Sequence, residues 1–287
     1  MKNTTIQQFF KKFPNDDACL THLFKVHFAK NHECSKCKRE TTWHLLKSER
    51  AFSCGNCGNH IHPCVGTIFE DSKTSLQLWF YAIYLFTTTR SGVSAKELQR
   101  QLGVTYKTAW RMGHQIRKHM SEVDGDEPLS GIVEVDETYI GGKRKGKRGR
   151  GADGKSIVFG MMQKNGDVMT KVVDDVKRAT LHPIIEANVE KQSEIQSDEL
   201  HSYKGLNQKG CTHNTVNHGA GEYVSKKGAT VNSIESFWSR LKLSIKGTHI
   251  HVSKKHLAKY AAEFEYRFNS RGCPELMLSE LLTKFAK

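Results

Sequence analysis

Residues Ile132 to Ile140 read IVEVDETYI, and this stretch decides the fold. Its β-branched and aromatic residues alternate with acids, as in a strand. In that conformation Glu134, Asp136 and Thr138 share one face, while Glu137 points to the other. A carboxylate in the middle of an otherwise β-forming segment is costly unless it has a partner or a task. Asp136 is therefore the first candidate site residue. Working outward, the strand is expected over 131–140, and a basic, glycine-rich loop follows it. Residues 156–163 and 167–173 read as the next two strands, turned at Lys164-Asn165-Gly166. A helix is expected over 179–190, with Pro183 near its start, then a short strand over 194–197. Two periodic helices, 231–245 and 254–268, close the chain. Three strands in succession, followed by mixed strand and helix, predict an α/β layered domain.

Two further acids join Asp136. Asp198 ends the segment Ile195-Gln196-Ser197-Asp198, where a strand would deliver a carboxylate to a sheet edge. In the penultimate helix Ile234, Phe237, Trp238, Leu241 and Ile245 recur at helical spacing and span a stripe of roughly 100°. Glu235 lies on the flank of that stripe, with Lys242 two turns along the same flank and Lys246 beyond it. Three carboxylates from separate elements can hold two Mg²⁺ ions about 3.5–4 Å apart, with Mn²⁺ able to substitute. Such a pair neutralises the attacking and leaving oxygens of a phosphodiester, and Lys242 and Lys246 are placed for phosphates.

Nearer the start, Cys34-Ser35-Lys36-Cys37 and Cys54-Gly55-Asn56-Cys57 are separated by sixteen residues. Each pair closes a knuckle presenting two thiolates, and the interval fits a short hairpin, so the set predicts structural Zn²⁺ in a zinc ribbon. His60, His62 and Cys64 read as turn and core residues. Between the two regions, SAKELQRQLGVTYKTAWRM (Ser94 to Met112) has the rhythm of a helix-turn-helix. Ser94 and Glu97 form a capping box, Leu98 and Leu102 face inward, Gly103 allows the turn and Thr105 caps the second helix. That helix is expected to show Tyr106, Lys107, Arg111 and Gln115 outward, for a DNA groove, while Ala109 and Trp110 pack.

The 287 residues carry 44 Lys and Arg against 30 Asp and Glu, a net charge of +14. That excess favours polyanionic partners. Six of the cations fall in GGKRKGKRGR (Gly141 to Arg150), where Lys143, Arg144 and Arg148 are candidates for phosphate contact. No apolar run approaches the roughly 18 residues of a membrane span. The start, MKNTTIQQFFKKF, lacks a secretory pattern, so a cytoplasmic protein with reduced thiols and no membrane partner is expected. Cys211 and Cys273 read as small buried hydrophobes, and His213 and His218 as structural. The turn chemistry of Val123 to Pro128 marks a boundary. The expected division is a zinc-ribbon domain over 1–70, a helical, helix-turn-helix-like DNA-binding domain over 71–125 and a catalytic domain over 130–287.

Taken in order, these segments resemble bacterial insertion-sequence transposases of the acidic-triad (DDE) type that begin with a zinc ribbon. The likeness runs through the four cysteines, Gly66 to Phe69, Trp79 and Phe80, Ser94 to Trp110, VEVDETYIGG (Val133 to Gly142), Ser197-Asp198-Glu199 with Tyr203, VNSIESFWSRLK (Val231 to Lys242), Gly247-Thr248, HVSKKHL (His251 to Leu257) and EFEYRFN (Glu263 to Asn269). The resemblance implies a ribonuclease-H-like catalytic fold, so that the whole is a multidomain α+β and α/β protein. It also implies Mg²⁺ dependence, terminal inverted repeats and target DNA as partners, and at least a homodimer on paired ends. Carried onto this chain, the triad is Asp136, Asp198 and Glu235. Asn232, one turn before Glu235, is the other candidate for third ligand, and a carboxylate holds a cation better than an amide does. Two other functions share these motifs: a ribonuclease-H-like nuclease without strand transfer, and a zinc-ribbon regulator that binds DNA without cutting it.

Overall fold

A chain that switches from paired cysteines to apolar helices and then to alternating strands needs more than one core. The computed structural model describes residues 4–28, 33–125, 127–141, 154–217, 224–225 and 228–285. Lys143, Arg144, Arg148 and His218 lie outside them. The chain divides into two compact units, one of residues 1–123 with 273–287, the other of 124–272. Among the described residues no helix is long and apolar enough to cross a membrane.

The first unit opens with α1 (Ile6–Lys12), begun by a capping box between Thr5 and Gln8, and α2 (Asp16–His27). A small antiparallel sheet follows, of β1 (Trp43–Leu46), β2 (Ala51–Cys54) and β3 (His60–Ile61) in that order. At the centre of the unit is α3 (Leu76–Thr88), which buries Leu76, Trp79, Phe80, Ala82, Ile83, Tyr84 and Phe86. A helix so apolar on nearly every side is stable only when surrounded. Its N-terminus is capped from α2, where the Asp16 carboxylate accepts the backbone N–H groups of Leu76 and Gln77.

Then come α4 (Ala95–Leu102) and α5 (Tyr106–Asp124), joined through Gly103 at φ 64°, a left-handed cap that glycine adopts without strain. Ser94 accepts the Glu97 N–H at 3.1 Å and Thr105 that of Thr108 at 3.2 Å, so both helices begin at the expected caps. Trp110 departs from expectation: it is exposed, with its ring 4.0 Å from that of His114. The buried stripe of α5 is Ala109, Met112, Gly113, Ile116 and Met120, and Trp110 is one residue off it, about 100° round the helix.

The second unit is built on β4 (Ile132–Ile140), β5 (Ser156–Gln163), β6 (Val168–Val173), α6 (Arg178–Asn188), β7 (Glu194–Ser197), β8 (Thr212–Thr215), α7 (Asn232–Ser244) and α8 (Lys254–Asn269). Its sheet has the order β6-β5-β4-β7-β8, with β4, β5 and β6 antiparallel in succession and β4, β7 and β8 parallel. Val133, Val135, Phe159 and Met161 pack with Leu181 and Ile185 of α6 on one face. Val158, Met162 and Ile140 pack with Ile234, Phe237, Trp238 and Leu241 of α7 on the other. The alternation read from IVEVDETYI thus divides two cores. The last helix, α9 (Met277–Leu281), belongs to the first unit, where the Leu281 carbonyl lies 2.9 Å from Nε2 of His119 on α5. Cys273, expected to be buried, is exposed, and Cys211 is half-buried. Cys211 packs against the core on the α6 side of the sheet.

Candidate active site and metal centre

The two knuckles of the first unit have the same backbone design. The Cys34 N–H donates to the Arg39 carbonyl and the Lys38 N–H to the Cys34 carbonyl; Cys54, Asn59 and Gly58 repeat this pattern. Lys38 (φ 56°) and Gly58 (φ 70°) occupy equivalent left-handed positions. Pairing of β1 with β2 sets the knuckles face to face. Among the described residues, the four Sγ atoms of Cys34, Cys37, Cys54 and Cys57 form the one His, Cys, Asp and Glu group whose ligand atoms all lie within 4.8 Å of one another. Cys34–Cys57 and Cys37–Cys54 are 3.7 and 3.9 Å apart. A tetrahedral zinc with Zn–S bonds of about 2.3 Å has sulfur–sulfur edges of about 3.8 Å. The donor set fits structural Zn²⁺. His60 is taken up by Glu49, with Nδ1 3.1 Å from the carboxylate.

In the second unit the α7 side of β4 carries acids. Glu134, fully buried, accepts the Ile234 backbone N–H at 2.9 Å and the Ser233 hydroxyl at 3.0 Å. No side chain of its own caps α7, so this β4 carboxylate satisfies helix N–H groups that would otherwise lack partners and complements the helix dipole. Burial raises the Glu134 pKa, and its bonds to Ile234 and Ser233 oppose the rise. The cap fixes the first turn of α7, which contains Glu235 and begins at Asn232, both exposed.

One step along the same face, Asp136 accepts the Trp238 indole N–H at 3.1 Å. Its antiparallel partner on β5 is Gly160. A methyl group on Gly160 would stand 2.5 Å from the Trp238 ring, so only glycine lets the indole lie flat there and reach Asp136. Asp198 follows the last residue of β7, and parallel pairing of Val135 with Ser197 sets it beside Asp136. Its Oδ1 accepts the Leu200 N–H at 2.9 Å. Burial, followed by the charges of Glu137, Asp198 and Glu235, pushes the Asp136 pKa from 3.8 up to about 8. Asp198 and Glu235, 62 and a further 37 positions along the chain, therefore both lie within electrostatic reach of Asp136, although the oxygens of the three acids are not all gathered within 4.8 Å as the four cysteine sulfurs are. Repelling carboxylates with hard oxygen donors are a ligand set suited to a divalent cation.

On the opposite face the Tyr203 hydroxyl donates to Glu137 at 2.9 Å, and burial beside that acid holds the tyrosine pKa well above its ordinary value. His213 lies 2.9 Å from the Ser197 hydroxyl, next to Asp198 in sequence.

The basic candidates divide. Lys242 and Lys246 are exposed on α7 and the wider turn after it, Ile245–His249. Partial burial lowers the Lys242 pKa, the Asp136 charge opposes that change, and Lys155 adds to it. Lys242 is thus within electrostatic reach of the acids. In the first unit Lys107 is exposed. Arg111, also exposed as expected, donates to the Ser72 hydroxyl at 3.2 Å and lies 5.6 Å over the Trp79 ring. With Gln115 and Lys118 it lines a cavity of about 450 Å³ against Gly66 to Asp71.

Motif spacing pointed to the four cysteines and three acids. It missed Glu134 as the cap of α7 and Trp238 as the donor to Asp136. The one signal for Glu134 was its place on the Asp136 face; for Trp238, its position one turn after Glu235.

A family model for an ISXO2-like transposase domain matches residues 128–269, and one for a transposase zinc-ribbon domain matches residues 14–60. A protein in the transposable element ISH50 of Halobacterium salinarum is 28% identical over 279 residues, covering 90% of this chain and 92% of the relative. A transposase-like protein of Haemophilus influenzae is 32% identical over 103 residues, 36% of this chain and 81% of the relative. The Mos1 transposase of a pre-cleavage transpososome, 10% identical with a TM-score of 0.22, covers 72% of this chain and 80% of its own; that likeness is too slight to bear on the fold.

Proposed function

The chain belongs to the insertion-sequence transposases of the DDE type with an N-terminal zinc ribbon, and from that premise we propose that it binds the terminal inverted repeats of its element, cuts them, and joins the freed ends to target DNA. The observation that carries the proposal is the electrostatic meeting of Asp136 with Asp198 and Glu235 on the α7 side of the sheet. The strand order β6-β5-β4-β7-β8, antiparallel on one side of β4 and parallel on the other, supports reading the unit as a ribonuclease-H-like domain.

Asp136, Asp198 and Glu235 would hold two Mg²⁺ ions, whose charge would activate the attacking oxygen and stabilise the leaving one. The protein's part is to hold the ligands still. Trp238 fixes Asp136, the Leu200 N–H fixes Asp198, and Glu134 fixes the turn that bears Glu235. Lys242 stands close enough to balance charge on a phosphodiester placed against the acids. The zinc ribbon, the α4–α5 pair with Lys107 and Arg111, and the basic segment 141–150 with Lys143, Arg144 and Arg148 would contribute DNA contacts. Pairing of two element ends calls for a homodimer or larger assembly.

The test is a duplex carrying the inverted repeats that flank the coding region, incubated with the full chain and Mg²⁺ or Mn²⁺. Nicking at the repeat end and a strand-transfer product are expected, both lost in Asp136→Ala, Asp198→Ala and Glu235→Ala. Full activity in all three variants would overturn the mechanism. Comparing Asn232→Ala with Glu235→Ala identifies the third ligand.

A further inference from the structure

Next to the acids, in the second unit, is a cavity of about 490 Å³ walled by Tyr139, Ile140, Ile245, Ile250 and Val252, with Lys242 and Lys246 in its lining. The volume is within the range of about 300–1,000 Å³ usual for small-ligand pockets. Lys242 and Lys246 are four residues apart and so share a helix face, and Lys242 also feels the Asp136 charge. Lys242 is therefore shared between the lining of the cavity and the surroundings of Asp136.

The backbone at the cavity is unusual. After the wide turn Ile245–His249, often a mark of a functional site, Ile250 adopts φ 64° and ψ −56°, and the His251 N–H donates to the His249 carbonyl at 2.6 Å. This three-residue turn of positive φ is rare and strained, more so for a β-branched side chain. Yet Ile250 is 85% exposed, so its own packing does not offset the strain. The fold holds a large apolar side chain out at the mouth of an apolar cavity that is flanked by cations.

We propose that this cavity receives one unstacked nucleotide of the DNA held at the acids, its base against Ile250, Val252 and Tyr139 and its flanking phosphates on Lys242 and Lys246. This deepens the DNA-cutting function proposed above and rests on it. The apolar walls exclude water from a base face, and the paired lysines match the charge on either side of it. Lifting a base from the stack costs a few kcal/mol, which an enclosing pocket offsets.

The test uses the full chain without divalent ions and two fluorescent single-stranded octanucleotides, one of mixed sequence with a central 2-aminopurine, the other abasic at its central positions. The wild-type protein is expected to bind the base-containing strand roughly tenfold more tightly, with a change in 2-aminopurine emission. Ile250→Ser and, independently, Val252→Trp should bring that ratio towards one while leaving affinity for the abasic strand unchanged. Lys242→Ala with Lys246→Ala should weaken both strands alike. Equal wild-type affinity for the two strands, or a ratio untouched by both cavity variants in folded protein, would overturn the cavity assignment alone. Binding of neither strand would remove the DNA reading with it.

Discussion

The zinc knuckles and the acid cluster are both candidate metal centres, and they are assembled in opposite ways. Cysteines 34, 37, 54 and 57 come from two short turns of one pattern, and their sulfurs already lie at tetrahedral spacing. The acids come from a strand, the end of a second strand and a helix, and Asp136 is driven up to about 8, first by burial and then by the charges of Glu137, Asp198 and Glu235. The first site is made by local hydrogen bonds; the second is held against its own charge by Trp238 and by Glu134. A closed site can thus serve folding, whereas a strained and partly open one is suited to chemistry.

The largest expected effect tests the first half of this contrast. Structural zinc contributes on the order of 10–16 kcal/mol of apparent binding free energy to small modules. Removing it with a chelator, or by Cys54→Ala, should unfold the region 33–61, seen as rapid proteolysis there with zinc release measured by mass spectrometry. The 124–272 unit should keep its own cleavage pattern. A ribbon that resists proteolysis after zinc removal would show that its core suffices without metal.

The second effect is of opposite sign in stability. Asp136→Asn should lower metal-dependent nicking by at least about 10³-fold, because metal charge stabilisation is worth several kcal/mol. The same change should stabilise the metal-free protein. A folded-state pKa raised from 3.8 to about 8 means that stability is fullest below pH 4 and is lost as pH climbs through 8. Asn carries no such charge. Thermal melts without metal should show the variant gaining on wild type from pH 5 to 8, by about 2–4 °C for each kcal/mol. A wild type whose advantage grows with pH would reverse the assignment of repulsion.

A third change loosens one support only. In Gly160→Ala the new methyl would press on the Trp238 ring, 2.5 Å away before any shift. Overpacking of this kind costs about 1–3 kcal/mol, and displacement of the indole should leave Asp136 less well placed. A loss of about 10²-fold in nicking, with Mg²⁺ requirement raised, is expected. A drop in melting temperature with turnover unchanged would mean that Trp238 packs without positioning.

How much of this was legible in the chain follows from range. The knuckles were readable because four residues determine each one. The strand IVEVDETYI was readable because period-2 alternation divided its faces between α6 and α7 as expected. β8, with Thr212 and Thr215 exposed and His213 and Asn214 half-buried, has no apolar alternation to announce it. Hydrophobicity draws Trp110 inward on a reading of the sequence, while the stripe through Ala109, Met112 and Ile116 turns it outward. Ile250 was invisible, since nothing in a β-branched residue signals positive φ. Glu134 was on the right face, but its task depends on where α7 begins relative to β4, a distance across about 100 residues of chain.

The smallest change sharpens the comparison most. Glu134→Gln keeps an oxygen that can accept the Ile234 N–H and removes only the charge. Burial already raises the Glu134 pKa, so the carboxylate is less costly to neutralise than an ordinary one. A folded-state pKa raised by burial means that the charge itself lowers stability at neutral pH, so Glu134→Gln should there be at least as stable as wild type. As pH falls and wild-type Glu134 takes up a proton, the two proteins should converge. Glu134→Ala, which leaves the Ile234 N–H and Ser233 hydroxyl without this acceptor, should cost about 1–3 kcal/mol, with nicking reduced more than binding as Glu235 drifts. The decisive readout is the ranking. If Glu134→Gln abolished metal-dependent cutting as fully as Asp136→Asn while the fold was intact, Glu134 would be a ligand rather than a clamp. The acids would then form a different metal set on β4 from the one proposed.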